Sequence, residues 1–211
     1  MYPMDMELTD RLCVVVGGGQ VAARKIKSLL MAGARVNIVA PVLLPELAGL
    51  AAAGQVMWLA QSYAPAVLPG AFLAFCATDD PAVNRQVVQD AHQQGILVNC
   101  AAPAELSDFT VPAHSACGKL HFAVSTEGNS PAMAACLCRS LTEEYAAVGT
   151  FLERLGRLRR ELAGQPGTSR MREHFWRQVL NGPVLELIRQ NKLDEAEAEL
   201  KNAIHGFRTQ S

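Results

Sequence analysis

Cys13-Val14-Val15-Val16-Gly17-Gly18-Gly19-Gln20-Val21-Ala22 is an apolar, mostly β-branched run that empties into a glycine turn and then into residues at helical spacing. Such a run fits a strand buried on both faces, as in a parallel sheet covered by helices. Gly17, Gly19 and Ala22 match the spacing G-x-G-x-x-A. In that pattern the first glycine permits the tight turn, the second lets a pyrophosphate approach the backbone, and a small third residue lets the helix pack closely on the sheet. The unpaired N–H groups of a helix start face such an anion. Glycine-rich turns also close structural hairpins. Here the turn follows a strand, opens a helix and stands at the first strand of an alternating pattern, which points to a nucleotide site.

Outward from this stretch, apolar runs at 12–16, 36–39, 56–59, 72–77 and 96–99 alternate with helix-like stretches at 21–31 and 81–94, and with a shorter one at 45–53. Strands alternating with helices produce an α/β fold, a doubly wound parallel sheet of the Rossmann kind, here expected over 1–112. A smaller α+β region is expected over 113–145, with an extended piece at 109–112 leading in and a strand at 120–125. A helix starts at Ser130-Pro131, with serine at the cap and proline at the first helical position. The remainder, 146–211, reads as helical, with breaks at Gly164-Gln165-Pro166-Gly167 and Asn181-Gly182-Pro183.

The chain has 211 residues, half of them apolar, and 19 Lys plus Arg against 20 Asp plus Glu for a formal net charge of -1. That balance gives no global attraction to nucleic acid or to an anionic membrane, so an anionic ligand needs local charges. The tail arginines (Arg154, Arg157, Arg159, Arg160, Arg170, Arg172) interleave with Glu143, Glu144, Glu153 and Glu161, which reads as a solvated helix face. The first residues carry acid where a secretory signal carries base, and no apolar run reaches membrane-spanning length; a cytoplasmic location is expected. Six cysteines without C-x-x-C spacing read as reduced and largely buried.

Thr78 and Asp79 follow the fourth strand, at the carboxyl end of the sheet, where a cofactor crevice opens. Asp79 or Asp80 can instead cap the next helix, and both roles can coexist. The second strand ends Ile38-Val39-Ala40-Pro41 without the acid that takes ribose hydroxyls, so NAD and NADP are not distinguished there. His114, Cys117 and His121 have the look of a metal set. His121 begins an alternating strand, however, and need not point as His114 does, and no second pair completes a tetrahedron. Cys136 and Cys138 diverge on a helix. No metal site is expected.

Gly17 to Lys25, Val39-Ala40-Pro41, Ala77-Thr78-Asp79-Asp80, Val98-Asn99, Asp108-Phe109 with Pro112, and Val124 through Pro131 together resemble the siroheme synthase N-terminal, or precorrin-2 dehydrogenase, family, in that family's order and spacing. The resemblance implies a dehydrogenase that oxidises precorrin-2 to sirohydrochlorin with NAD as hydride acceptor. It implies a Rossmann domain, a dimerisation domain and a helical C-terminal region, assembled as a homodimer with the substrate held between domains. Some family members also insert iron, so a bifunctional dehydrogenase and ferrochelatase is an alternative. Carried over by position, Gly17, Gly18, Gly19, Gln20, Val21, Ala22, Pro41, Val42, Thr78 and Asp79 match cofactor contacts. Asn99, Ser125, Thr126, Asn129 and Ser130 match the substrate cleft.

One departure touches the chemistry. Family members carry an aspartate three residues after the asparagine of Val-Asn, and here that position is Ala102. Alanine accepts no proton. Asp108, His114 and Glu105 are then the candidate bases, with Asp108 alternatively bracing a turn and solvent alternatively taking the proton. A dimer that binds NAD and tetrapyrrole but is catalytically impaired is the reading that Ala102 keeps open.

Overall fold

The computed structural model describes residues 1–164 and 168–209. Two compact units partition it, 1–111 and 112–211. In the first unit, strands β1 (Leu12–Val16), β2 (Arg35–Val39), β3 (Met57–Leu59), β4 (Leu73–Cys76) and β5 (Leu97–Cys100) alternate with helices α1 (Gln20–Met31), α2 (Pro45–Ala52) and α3 (Pro81–Gln93). The strands pair in parallel in the order β3-β2-β1-β4-β5, so the direction of winding reverses between β1 and β4. These are the expected strands, with ends that differ by a residue or so, and the fold is the doubly wound α/β sheet of the Rossmann kind.

The unbroken apolar run of β1 has its reason in the packing. Cys13 and Val15 join Ala22, Ile26 and Leu29 of α1 and Leu47 of α2 on one face. Val14 and Val16 join Val87, Val88 and Ala91 of α3 on the other. Period-2 alternation therefore sorts side chains between two apolar layers rather than between core and water. Burying one such side chain is worth about 1.5–3 kcal/mol, so neither layer tolerates a polar substitution in β1. Beyond β5, residues 107–109 run along the strand. Asp108 N donates to Val98 O (2.9 Å), Val98 N donates to an Asp108 carboxylate oxygen (2.8 Å), and Cys100 N donates to Ser107 Oγ (2.8 Å), which donates on to Cys100 O.

The second unit opens with an antiparallel hairpin of β6 (Ala113–Cys117) and β7 (Leu120–Val124), followed by α4 (Pro131–Glu144), α5 (Ala146–Ala163), α6 (Ser169–Leu180), α7 (Pro183–Arg189) and α8 (Leu193–Thr209). β6 was not foreseen beyond an extended lead-in. Its sequence, Ala113-His114-Ser115-Ala116-Cys117, has no β-branched residue and no Phe, Tyr or Trp, and pairing with the stronger Leu120–Val124 imposes the strand. At the tip Gly118 has φ +56°, and a Cβ there would stand 2.7 Å from Gly149 O of α5. A Cβ on Gly149 would stand 2.1 Å from Cys117 O, so the two glycines let the hairpin tip and α5 meet backbone to backbone. Ser130 Oγ caps α4 by accepting from Met133 N, with Pro131 first in the helix, as expected. Phe151, Leu158 and Leu162 of α5 pack with Phe175, Val184, Ile188, Ala196, Leu200 and Ile204 as a helical core.

The expected break at Asn181-Gly182-Pro183 separates α6 from α7. That at Gly164-Gln165-Pro166-Gly167 falls, but for Gly164, outside the described residues. Two further breaks, at Tyr145 and at Asn191-Lys192, lacked glycine or proline to announce them; Asn191 turns the chain with φ +59°. Among the described residues no helix is long and apolar enough to cross a membrane. All six cysteines are free thiols, Cys13, Cys76, Cys100 and Cys138 being buried.

Candidate functional site

The carboxyl ends of β1 and β4 flank the point where winding reverses, the place where doubly wound sheets leave a crevice for a ligand. The glycine turn closes it from one side, and its three glycines differ in kind. Gly17 has φ +127°, and a Cβ there would lie 2.2 Å from Ala77 O. A Cβ on Gly18 would lie 2.2 Å from Val42 O, and Gly18 O accepts from Leu44 N at 3.0 Å. Gly19, by contrast, has nothing within 4 Å of its Cβ position. The first two glycines fit the turn against its own neighbours, whereas the third fronts open space. The packing role of Gly18 on the Pro41-Val42 loop was not foreseen; its only sign in the sequence is a glycine at the middle position of G-x-G.

α1 starts directly behind Gly19 with no side-chain cap and no acidic residue in its first turn. Backbone N–H groups so left carry partial positive charge and suit a phosphate. Gln20 and Val21 are exposed beside them, Ala22 is buried on the sheet, and Pro41 and Val42 are exposed on the neighbouring loop. This backbone cradle, which side chains at Gly17 and Gly18 would distort and one at Gly19 would fill, fits a dinucleotide pyrophosphate.

Opposite the turn, the two aspartates after β4 divide their roles. Asp80 Oδ1 accepts from Ala82 N (2.7 Å) and Val83 N (3.4 Å) and caps α3. Asp79 is exposed and makes no side-chain hydrogen bond among the described residues. Thr78 is held by Asn84, a residue sequence reasoning passed over. Asn84 is 1% exposed; its Oδ1 accepts from Thr78 Oγ1 (2.8 Å) and Thr78 N (3.3 Å), and its Nδ2 donates to Thr78 O (3.0 Å) and Ala102 O (2.8 Å). One buried amide with every group used thus ties the loop after β4 to the loop after β5.

Asn99, expected to face substrate, is buried. Its Nδ2 donates to Phe109 O at 2.8 Å, and its Oδ1 accepts from Lys25 Nζ at 2.5 Å. Lys25, on α1, was noted only as part of a motif. Its ammonium also lies 5.5 Å from the centre of the Phe75 ring, and no carboxylate pairs with it among the described residues. Burial lowers its pKa, and Arg24 adds to the effect. Ala102, exposed, lies two residues beyond the end of β5 and is joined to Pro103 by a cis bond. Asp108 braces: both its oxygens stand 3.0 Å from His92 Nε2, and one accepts from Val98 N, two residues short of the carboxyl end of β5. Glu105, exposed, lies in the short turn after Pro103.

In the second unit the substrate-cleft candidates brace one another. Ser125 Oγ accepts from Glu127 N (3.2 Å), Thr126 Oγ1 from Ser130 N (3.0 Å), and Thr126 O from the backbone and side-chain nitrogens of Asn129. Glu127 and Gly128 both have positive φ, 52° and 86°. His114 and His121 share the exposed face of the hairpin, with Cys117 on the other face, so the sequence triplet does not converge. His114 Nδ1 is 3.0 Å from Pro112 O. No cluster of three or more His, Cys, Asp or Glu is placed to hold a metal among the described residues.

Residues 5–113 match a family model described as "Putative NAD(P)-binding", more than half of the chain. The chain belongs to that family. This NAD(P)-binding region is followed by a match of residues 147–204 to the sirohaem synthase dimerisation region. Among curated proteins, the siroheme synthase of Chromobacterium violaceum is 40% identical over 205 residues, covering 96% of this chain and 43% of that protein. Siroheme synthase 1 of Pectobacterium atrosepticum is 37% identical over 203 residues, covering 96% and 42%. The chain therefore spans less than half the length of these relatives. Among solved structures, SirC, a precorrin-2 dehydrogenase, superposes with a TM-score of 0.76 at 26% identity, covering 98% of this chain and 100% of that one.

Proposed function

We propose that this chain is an NAD-dependent oxidoreductase that dehydrogenates precorrin-2 to sirohydrochlorin in siroheme synthesis, as a homodimer in the cytoplasm. The observation that carries the reading is the glycine cradle at the sheet's switch point, in a chain whose fold matches that of a precorrin-2 dehydrogenase over 98% of its length. Residues 113–145 and 146–211 remain the proposed dimerisation and helical regions, and the family match at 147–204 supports a dimer without assigning its contacts.

Gly17 makes the turn, its own N–H donating to Val39 O, and Gly18, Gly19, Gln20, Val21 and Ala22 would hold the pyrophosphate through backbone N–H groups; Pro41 and Val42 would flank the cofactor on one side and Thr78 and Asp79 on the other. When bound, NAD supplies the hydride acceptor. The chain's own part is to bind, orient and exclude water. Asn99 shapes the substrate side from within, and Ser125, Thr126, Asn129 and Ser130 offer short polar groups to a macrocycle fringed by carboxylates. The uncapped start of α1 and the balanced net charge agree with anions being gripped locally.

With alanine at position 102, proton removal falls to Asp108, His114 or solvent. Ala102 specifically favours a second reading, a dimer that binds both ligands without turnover. Anaerobic incubation with precorrin-2 and NAD, without metal, tests both against the Ala102→Asp variant. Sirohydrochlorin formation by the wild type is expected. Turnover by the variant alone establishes the second reading, and turnover by neither removes the dehydrogenase.

A further inference from the structure

We infer that Lys25 is a positioning residue for the dehydrogenation proposed above, acting through Asn99. Two hydrogen bonds in series, Lys25 Nζ to Asn99 Oδ1 and Asn99 Nδ2 to Phe109 O, join three segments. They are the helix that opens on the glycine turn, the last residue but one of β5, and the stretch beyond Asp108.

Burial works against a cation at this position, and the Phe75 ring face and the Asn99 oxygen are what compensate it. Lys25 is partly buried, has no carboxylate partner among the described residues, and has an aromatic ring beside it. Methionine has nearly the same reach and no charge to desolvate, a gain set against leaving the buried Asn99 Oδ1 without its donor. What the ammonium adds is direction. An amide can be turned end for end in nearly the same space, and only a donor on one side with an acceptor on the other selects the orientation. Lys25 is donor-only and the Phe109 carbonyl is acceptor-only, so the Asn99 amide has a single arrangement.

That arrangement holds the backbone from Val98 towards Ala102, whose carbonyl Asn84 ties to Thr78. The glycine turn, the loop after β4 and the loop after β5 are thereby registered to one another through two amides, Asn84 directly and Asn99 through Lys25. Hydride transfer needs this, since a displacement of about 1 Å at a reacting centre can cost on the order of a hundredfold in rate.

The inference rests on the dehydrogenase reading, and its test keeps the two apart. Lys25→Met and Lys25→Ala are compared with the wild type in melting temperature, NAD affinity, kcat and KM for precorrin-2, and proton exchange of the Asn99 side-chain amide by nitrogen NMR. Lys25→Met is expected to melt within about 5 °C of the wild type, the relieved desolvation offsetting the lost hydrogen bond, and to bind NAD within about twofold, while kcat falls about tenfold or more and KM moves less. Ethylammonium is expected to restore part of kcat to Lys25→Ala, and the Asn99 amide to exchange faster in both variants. Wild-type kcat in Lys25→Met overturns the proposal, as does a fall of melting temperature and NAD affinity in step with activity. If the wild type itself does not oxidise precorrin-2, the dehydrogenase reading fails alone; Asn99 exchange unmoved by Lys25→Met then sinks this inference on its own terms.

Discussion

Gly17 and Gly19, two positions apart in one motif, are required for different reasons, and alanine separates them. At Gly17 the added Cβ meets Ala77 O at 2.2 Å in a backbone conformation that disfavours side chains, so Gly17→Ala should cost about 3 kcal/mol or more of stability. At Gly19 the same Cβ meets no protein atom within 4 Å. Gly19→Ala should therefore melt within about 0.5 kcal/mol of wild type yet bind NAD at least about tenfold more weakly, because the methyl occupies the approach of the pyrophosphate. Thermal unfolding and fluorescence titration on the same two variants check the contrast. Lys25 gives a pH signature. The charged groups and thiols around it are Arg24 of α1, Cys76 of β4 and Cys100 of β5, and burial is the largest influence, lowering its pKa. The unfolded chain then holds more protons than the folded one between the lowered value and the ordinary lysine value of about 10.4, so stability rises with pH across that interval. The stability of Lys25→Met relative to the wild type should be highest at neutral pH and fall towards about pH 10, as read from denaturant midpoints along a pH series.

Among elements, the carboxyl-edge loops depend on one amide. Asn84→Ala leaves Thr78 N, Thr78 O and Ala102 O without their buried partner, a loss of roughly 2 kcal/mol or more. The same variant should weaken NAD binding, since the loops after β4 and β5 are no longer fastened; urea unfolding with and without NAD measures both. α5 offers a case where helix propensity and packing oppose each other. Alanine is better than glycine inside a helix by about 1 kcal/mol, but at Gly149 its Cβ would lie 2.1 Å from Cys117 O. Close packing should prevail, and Gly149→Ala should lower the melting temperature of the second unit in calorimetry. The sequence pattern carried the elements whose signal is local: strands buried on both faces, the Ser130-Pro131 helix start and the Asn181-Gly182-Pro183 break. It did not carry β6, whose residues become a strand only through their partner, nor the Tyr145 break, which has no residue of special backbone freedom.

Across the whole chain, what could be read in advance and what could not divide along the same line. The glycine motif, its place in the sheet and Thr78-Asp79 after the fourth strand follow from residue types at fixed spacings, while Pro41 and Val42 come from the family resemblance. Asn84, Lys25 and the bracing of Asp108 do not, because their partners lie 18, 74 and 16 residues away in sequence and only the folded sheet brings them within bonding distance. The strap formed by Ser107 and Asp108 has a consequence beyond the site. β5 is the last strand of its sheet, and the row of backbone groups it presents would otherwise be a template on which a second copy could stack, edge to edge. By occupying Val98 and Cys100, two small side chains act as a gatekeeper against fibril growth. Ser107→Ala combined with Asp108→Ala should therefore shorten the time to turbidity and thioflavin-positive aggregate in a concentrated solution held at 37 °C, well beyond what the loss of a hydrogen bond or two does to the folding equilibrium.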